Sequence, residues 1–297
     1  MRRLDKYMLD MTVIILTKNE ELNIKKCISS VKGMSKRIVV VDSYSKDGTV
    51  EIAKRMGADI YEHPFKHYGA QFQYALDNCD IKTKWVFRLD ADEEVSKESY
   101  DEIVELCTEN ENTDINGVVF RLSESFMGKR LKHGGDCGVL SKLCIFKYGK
   151  AYMEDRYLGE HIILTEGRSV ILKSLSYHND KKDTSFYINK LNWYAAREAK
   201  DYFEQINSED NQKMLVLDKK TRFRRIVKFK IFYHMPKRLR ASLVFIYYYY
   251  LHLGFLDGKE AYYLIFFRTK YYRTLVDAKI YEVLATGKTI GETGAWS

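Results

Sequence analysis

Carboxylates crowd one short stretch of this chain. VFRLDADEE, residues 86–94, runs from an apolar, strand-like segment into Asp90, Asp92, Glu93 and Glu94. Two carboxylates at i and i+2 on an extended or turning backbone, here Asp90 and Asp92, can converge on one cation or bracket it. Hard oxygen ligands of this kind suit Mg2+ or Mn2+, which keep water and substrate phosphate in their remaining positions. A cation so placed would neutralise a diphosphate and make it a better leaving group. Glu93 and Glu94 read as acids on a solvated loop or in the first turn of the next helix, where they favour the helix dipole. The stretch is not an EF-hand, because the later ligand positions are absent.

Such acids need a scaffold. MTVIILT (11–17), RIVVVD (37–42) and WVFRL (85–89) are apolar, β-branched runs that suit strands buried on both faces of a parallel sheet; residues 58–61 add a fourth strand. Helical spacing occupies 20–31, 50–56 and 68–79, and Ser96 reads as the N-cap of a helix from Lys97 to about Cys107. Alternating strands and helices predict an α/β fold with a doubly wound, mainly parallel sheet. Ligands of such sheets bind beyond the carboxyl ends of the strands. Three strands end in polar groups: Thr17-Lys18-Asn19-Glu20, Asp42, and Asp90-Ala91-Asp92. Parallel strands would gather them on one edge. After Gly117, VVFRLS, KLCIF and SVILKSLSY read as shorter strands in antiparallel pairing, followed by a helix over 185–205. The division expected is a first domain over 11–206 and a helical extension over 214–285.

The segments TVIILTKNEELNIKKCISSV, IVVVDSYSKDGTVEIAKRMGADI and WVFRLDADEEVS, in this order and spacing, resemble the N-terminal domain of family 2 glycosyltransferases, which have the GT-A fold. FLDGKEAYYLIFFRTKYY is similar to the C-terminal part of a bacterial subgroup acting in lipopolysaccharide, capsule and related surface-glycan synthesis. The resemblance implies an inverting, metal-dependent enzyme that moves a hexose from a UDP-sugar to a membrane-associated glycan. It implies nucleotide contacts from Thr17, Glu20, Asp42 and Gln71, with Asp42 on the uracil ring. It places Asp90 near the ribose or sugar and makes Asp92 a ligand of Mn2+ or Mg2+. In this fold His178, in SYHND, can reach back to the metal or the diphosphate. Displacement at the anomeric carbon needs a base for the acceptor hydroxyl. The candidates lie in MEDRYLGEHIIL: Glu160 first, then Asp155, with Glu154 and His161 beside them. Gly159 departs from the subgroup by replacing an acid, and a chain lacking its base would be a degenerate scaffold.

Composition narrows the rest. The 297 residues carry a net charge of +8 and 23 Tyr, and residues 213–240 hold eleven Lys and Arg against the single acid Asp218. That block attracts an anionic surface. ASLVFIYYYYLHLGFL (241–256) is too short and too rich in Tyr for a spanning helix and reads as a hairpin packed on protein, an interfacial surface, or both. The partners expected are a UDP-sugar donor, a lipid-linked or lipopolysaccharide acceptor and an anionic membrane, with a homo-oligomer left open and no nucleic acid. The first residues have no apolar core of a secretory signal, and five cysteines without a C-x-x-C fit a reducing compartment. The location expected is therefore cytoplasmic, peripheral on the inner face of the membrane. No G-x-G-x-x-G follows the first strand, against a dinucleotide oxidoreductase. TKNEE is neither Gly-rich nor Arg-bearing, against a sugar-phosphate nucleotidyltransferase. A nucleic-acid binder using the basic tail would leave the acids at three strand ends unexplained.

Overall fold

A computed structural model describes residues 8–154, 161–207 and 234–290. The chain forms two compact units, one of Met1–Arg130 with Val139–Lys181, the other of Leu131–Gly138 with Lys182–Ser297. The second unit takes up the chain again at Lys182, and the eight residues 131–138 from the middle of the chain belong to it.

The first unit begins β1 (Leu9–Thr17), α1 (Ile24–Val31), β2 (Ser35–Asp42), α2 (Thr49–Arg55), β3 (Asp59–Glu62), α3 (Tyr68–Asn78), β4 (Trp85–Asp90). It continues with β5 (Glu93–Glu94), α4 (Lys97–Glu109), β6 (Ile115–Phe126), β7 (Lys129–Arg130) and β8 (Val139–Lys147). The small pair β9 (Ala151–Met153) and β10 (Ile162–Leu164) stands apart, and β11 (Arg168–Ile171) and β12 (Ser176–His178) close the unit. The sheet order is β3-β2-β1-β4-β8-β6-β12-β5, with β7 and β11 also on β6.

The apolar runs are continuous because both faces of β1 are covered. Met11, Val13 and Ile15 pack with Ile24, Cys27 and Ile28 of α1 and Ile103 of α4. Ile14 and Leu16 pack with Phe72 and Ala75 of α3 on the other face. β1 is parallel to β2 and to β4. Thr17 pairs with Asp42 and Leu16 with Asp90, so the polar strand ends do meet on one edge. Ser96 is the N-cap of α4, its Oγ accepting from Ser99 N at 3.1 Å.

Two expectations change. The helix read from residue 20 starts at Ile24; Glu20 to Asn23 form a turn in which the Glu20 carbonyl accepts from both Asn23 N and Ile24 N. VVFRLS in β6 and KLCIF in β8 are antiparallel to each other, as expected. SVILKSLSY breaks into β11 and β12, both parallel to β6, because Lys173 N and Ser174 N turn aside to the Glu102 carboxylate of α4.

In the second unit the helix Thr184–Asn207 packs on the helix Tyr272–Thr286 through Ala195, Ala199, Val276 and Ile280. Alanines at i and i+4 let the two backbones approach closely. Buried Arg240 is held by Asp277, with Nε at 2.8 Å. The loop 131–138 is anchored here: Lys132 N and His133 N donate to Asp257 Oδ2 at 2.7 and 2.6 Å, His133 Nδ1 lies 2.9 Å from Asp257 Oδ1, and Gly134 N donates to the His252 carbonyl.

Candidate active site

The C-terminal edge of β1, β2 and β4 is where the site residues gather. Asp42 is fully buried and accepts from Thr17 Oγ1 at 2.7 Å, Ser45 N at 2.7 Å and Ser45 Oγ at 2.6 Å. Three donors on one carboxylate fix its orientation, as a base-reading acid requires. The turn after β2 is locked against the turn after β1: Asn19 N donates to Ser45 Oγ, and Lys46 N to Asn19 Oδ1. Both turns use left-handed backbone at a non-glycine residue, Asn19 (φ 53°) and Tyr44 (φ 58°). Asn tolerates that conformation; a Tyr there is uncommon, and it holds the Tyr44 ring out in solvent beside Asp42.

Gln71 sits behind this edge. Its amide donates to Ser43 Oγ at 3.0 Å and to the His63 carbonyl at 3.1 Å, so it braces the turn from α3. Glu20, also buried, accepts from Asn23 Nδ2 at 2.9 Å. Asn23 in turn meets Asp180 Oδ1 at 3.0 Å and accepts from Lys181 N. That bond ties the β1–α1 turn to the segment following His178.

Asp90 and Asp92, given separate roles by the resemblance, take different partners. Lys142 Nζ lies 2.6 Å from Asp90 Oδ2 and 2.6 Å from Glu93 Oε1. Arg88 adds a contact to Asp90 at 3.5 Å. Burial opposes the charge on Asp90, but Lys142 and Arg88 hold its carboxyl down at about 2. Burial pushes Glu93 up to about 7 against the pull of Lys142. Glu93 is thus neither on a solvated loop nor in the first turn of α4. It stands in β5, 2 % exposed, because β12 pairs with β5 and Lys142 supplies a counter-charge.

Asp92 faces His178 instead. Asp92 Oδ2 is 3.1 Å from His178 Nε2, and His178 Nδ1 is 2.7 Å from Glu124 Oε1. All three side chains are largely buried. Burial disfavours the imidazolium, yet Glu124 and Asp92 together raise its pKa well above the ordinary histidine range. With Nδ1 on a carboxylate, deprotonation leaves Nε2 as the lone-pair nitrogen on the side of Asp92. A carboxylate behind a ligand histidine is the usual support of a metal site. Among the described residues no three His, Cys, Asp or Glu are grouped to hold a metal ion. The pair Asp92–His178 therefore offers two ligands. That fits Mg2+ or Mn2+, which draw their other ligands from water and substrate phosphates.

Lys142 and Glu124 were not found in the sequence. Each sits in a strand, β8 and β6, that also carries a second charged residue, so nothing local singles it out. Glu160 and Asp155 lie outside the described residues. We expect Glu124→Gln to weaken Mn2+ binding about 10- to 100-fold, measured by calorimetric titration with nucleotide present; unchanged affinity would reduce Glu124 to a packing residue.

Residues 12–177 match the family model described as Glycosyl transferase family 2, and the chain belongs to that family. An uncharacterised glycosyltransferase of Rickettsia typhi is 30% identical over 204 residues, 65% of this chain and 68% of the relative. The lipopolysaccharide core biosynthesis glycosyltransferase LpsC of Rhizobium meliloti is 38% identical over 95 residues, 30% of this chain and 34% of that one. A mannosyltransferase from Pyrobaculum calidifontis, solved in complex with GDP-Man and Mn2+, aligns with a TM-score of 0.51 at 14% identity, covering 93% of this chain and 88% of its own. The fold is α/β and GT-A-like, and the protein is an enzyme that transfers sugars.

Proposed function

We propose that this enzyme moves a hexose from a UDP-sugar, with inversion, to a membrane-associated glycan in surface polysaccharide synthesis, working peripherally on the cytoplasmic face. The observation that carries the donor half is the Asp92–His178–Glu124 chain beside the anchored Asp42. Asp42, fixed by Thr17 and Ser45, reads the base, and Glu20 and Gln71 hold the turns that frame it. Tyr44 covers the base from the solvent side. Asp90, held ionised by Lys142, faces the ribose or sugar. Asp92 and His178 would hold Mn2+ or Mg2+, which supplies charge neutralisation of the diphosphate leaving group. Glu160, or failing it Asp155, takes the proton from the acceptor hydroxyl. As that oxygen forms its bond to the anomeric carbon from the face opposite the nucleotide, the bond to the diphosphate oxygen breaks and inversion results.

The acceptor half draws on the relative that acts in lipopolysaccharide core biosynthesis and on the basic, aromatic extension over 214–285. Titration of UDP and GDP with and without Mn2+ tests the donor site: metal-dependent binding of UDP is expected. Preference for GDP would replace the donor, and no nucleotide binding under any condition would sink the reading.

A further inference from the structure

Asn23 gives up the bond that its position offers. It stands at the N-cap of α1, where an Asn ordinarily turns its side-chain oxygen onto N–H groups of its own helix, yet its side chain makes no capping bond. The residue is buried, and its amide reaches across the fold instead. Nδ2 donates to Glu20 Oε2 at 2.9 Å and to Asp180 Oδ1 at 3.0 Å, and Oδ1 accepts from Lys181 N at 3.2 Å. One neutral side chain thus supplies the donor that two carboxylates share and the acceptor for a backbone N–H 158 positions away.

What it joins are the two ends of the donor site. On one side, Glu20 N donates to Thr49 Oγ1 at 2.7 Å and Glu21 N to Asp47 Oδ2 at 3.2 Å, which locks the β1–α1 turn to the chain that follows Asp42. On the other, Asn179 N donates to the Asp92 carbonyl at 2.9 Å, and Lys181 Nζ to the Leu22 carbonyl at 3.0 Å. β12 ends at His178, so the hold on residues 180 and 181 comes from these side-chain bonds rather than from the sheet. A nucleoside diphosphate has a limited reach: its base must meet Asp42 while its phosphates meet a cation at Asp92 and His178. The span between those ends is set by whatever joins them, and a misplacement of about 1 Å is costly in such a site.

We infer that Asn23 is a positioning residue for the donor, its amide holding the nucleotide-facing turn and the segment after the metal pair in one geometry. The inference rests on the donor half of the proposed function. Bonding and packing predict opposite orders of damage. Asn23→Asp keeps the shape and the acceptor for Lys181 N, but it loses the amide donor and sets a third carboxylate against Glu20 and Asp180. Asn23→Ala loses the same donor and adds no charge. A bonding role makes Asp the worse replacement; a packing role makes Ala the worse.

The test is calorimetric titration of the full chain with UDP in the presence of Mn2+, together with amide hydrogen exchange of the metal-free protein over residues 179–181. Asn23→Asp should weaken UDP binding at least about tenfold, the scale of one lost hydrogen bond to a charged group, and more than Asn23→Ala does. Exchange at 179–181 should quicken while the central strands keep their protection. The swap of Asn23→Asp with Asp180→Asn returns an amide donor between the two positions and should recover most of the loss. Asp180→Ala, at a part-exposed position where the fold is not at stake, should weaken binding about threefold or more; it decides the matter if Asn23→Asp does not fold. Variants that bind as tightly as a parent chain that does bind UDP, a swap no better than Asn23→Asp alone, or an Ala variant worse than the Asp variant would overturn this inference and leave the donor reading standing. A parent chain that binds no UDP with Mn2+ would overturn the donor reading and this inference with it.

Discussion

An Asp92→Ala enzyme should fold, keep the Asp42 hydrogen bonds, and transfer sugar at least about 10²- to 10³-fold more slowly, since loss of metal-held charge stabilisation is worth several kcal/mol and each 1.36 kcal/mol is tenfold. Asp92 is the carboxylate nearest His178 Nε2, at 3.1 Å, and Asp90 cannot replace it, because Asp90 is held by Lys142 and Arg88. His178 keeps Glu124 at 2.7 Å, so the imidazole stays in place and the variant isolates the missing ligand. Asp92→Asn, close in shape, should fall nearly as far. The measurement is product formation against Mn2+ concentration, with thermal melting as the control on folding. A variant that melts like the parent and keeps full transfer would remove Asp92 from the chemistry and with it the metal assignment.

Lys142→Met should cost the most stability of any single change near the site. Lys142 sits 2.6 Å from both Asp90 and Glu93, and Glu93 is 2 % exposed. Deleting one partner of a buried ion pair leaves uncompensated charge, typically a loss of about 3–5 kcal/mol. With Lys142 itself 29% exposed, about 3 kcal/mol is expected at pH 8. The loss depends on pH with a definite sign. In the fold Glu93 titrates near 7 rather than 4.5. A raised carboxyl pKa lowers stability as pH climbs from the unfolded value through the folded one, since the fold must then bury the charge. Removing Lys142 raises Glu93 further, so the penalty grows with pH. Asp90, now depressed to about 2, contributes stability above its unfolded pKa, and its share is withdrawn at pH 5 and pH 8 alike. Urea unfolding of the metal-free protein should therefore show a smaller deficit at pH 5 than at pH 8. An equal deficit at both would mean that Glu93 does not take up the released charge.

The parallel half of the fold was legible because its signals are local. Apolar runs covered on both faces, a Ser N-cap and acids at the strand ends each speak for themselves, and Thr17, Asp42 and Asp90 fell on one edge as read. What stayed hidden was pairing across distance. Glu93 looked like a helix-turn acid because its cation lies 49 positions later, on a strand whose alternation gives no hint of which residue it faces. The spacing of Asp90 and Asp92 carries no information about Lys142 or Glu124, the partners that hold the acid and the histidine of the site. His178 was found through the resemblance, yet the carboxylate behind it was not, since Glu124 belongs to a strand read only for its apolar residues. SVILKSLSY reads as one strand in antiparallel pairing; it splits into β11 and β12, both parallel to β6, where Glu102 takes the turn between them.

The loop 131–138 has a consequence for how the protein is made. It interrupts the sheet between β7 and β8, yet the carboxylate that accepts Lys132 N and His133 N is Asp257, 124 residues beyond His133. At roughly 5–20 residues per second of synthesis, those amides wait on the order of 6–25 s for their acceptor to be translated. The nascent first unit can pair β6 with β8 during that interval while its loop lacks this anchor. Synthesis of Asp257, rather than completion of the sheet, is then the event that sets the loop, and a product truncated before Asp257 would lack this anchor for 131–138.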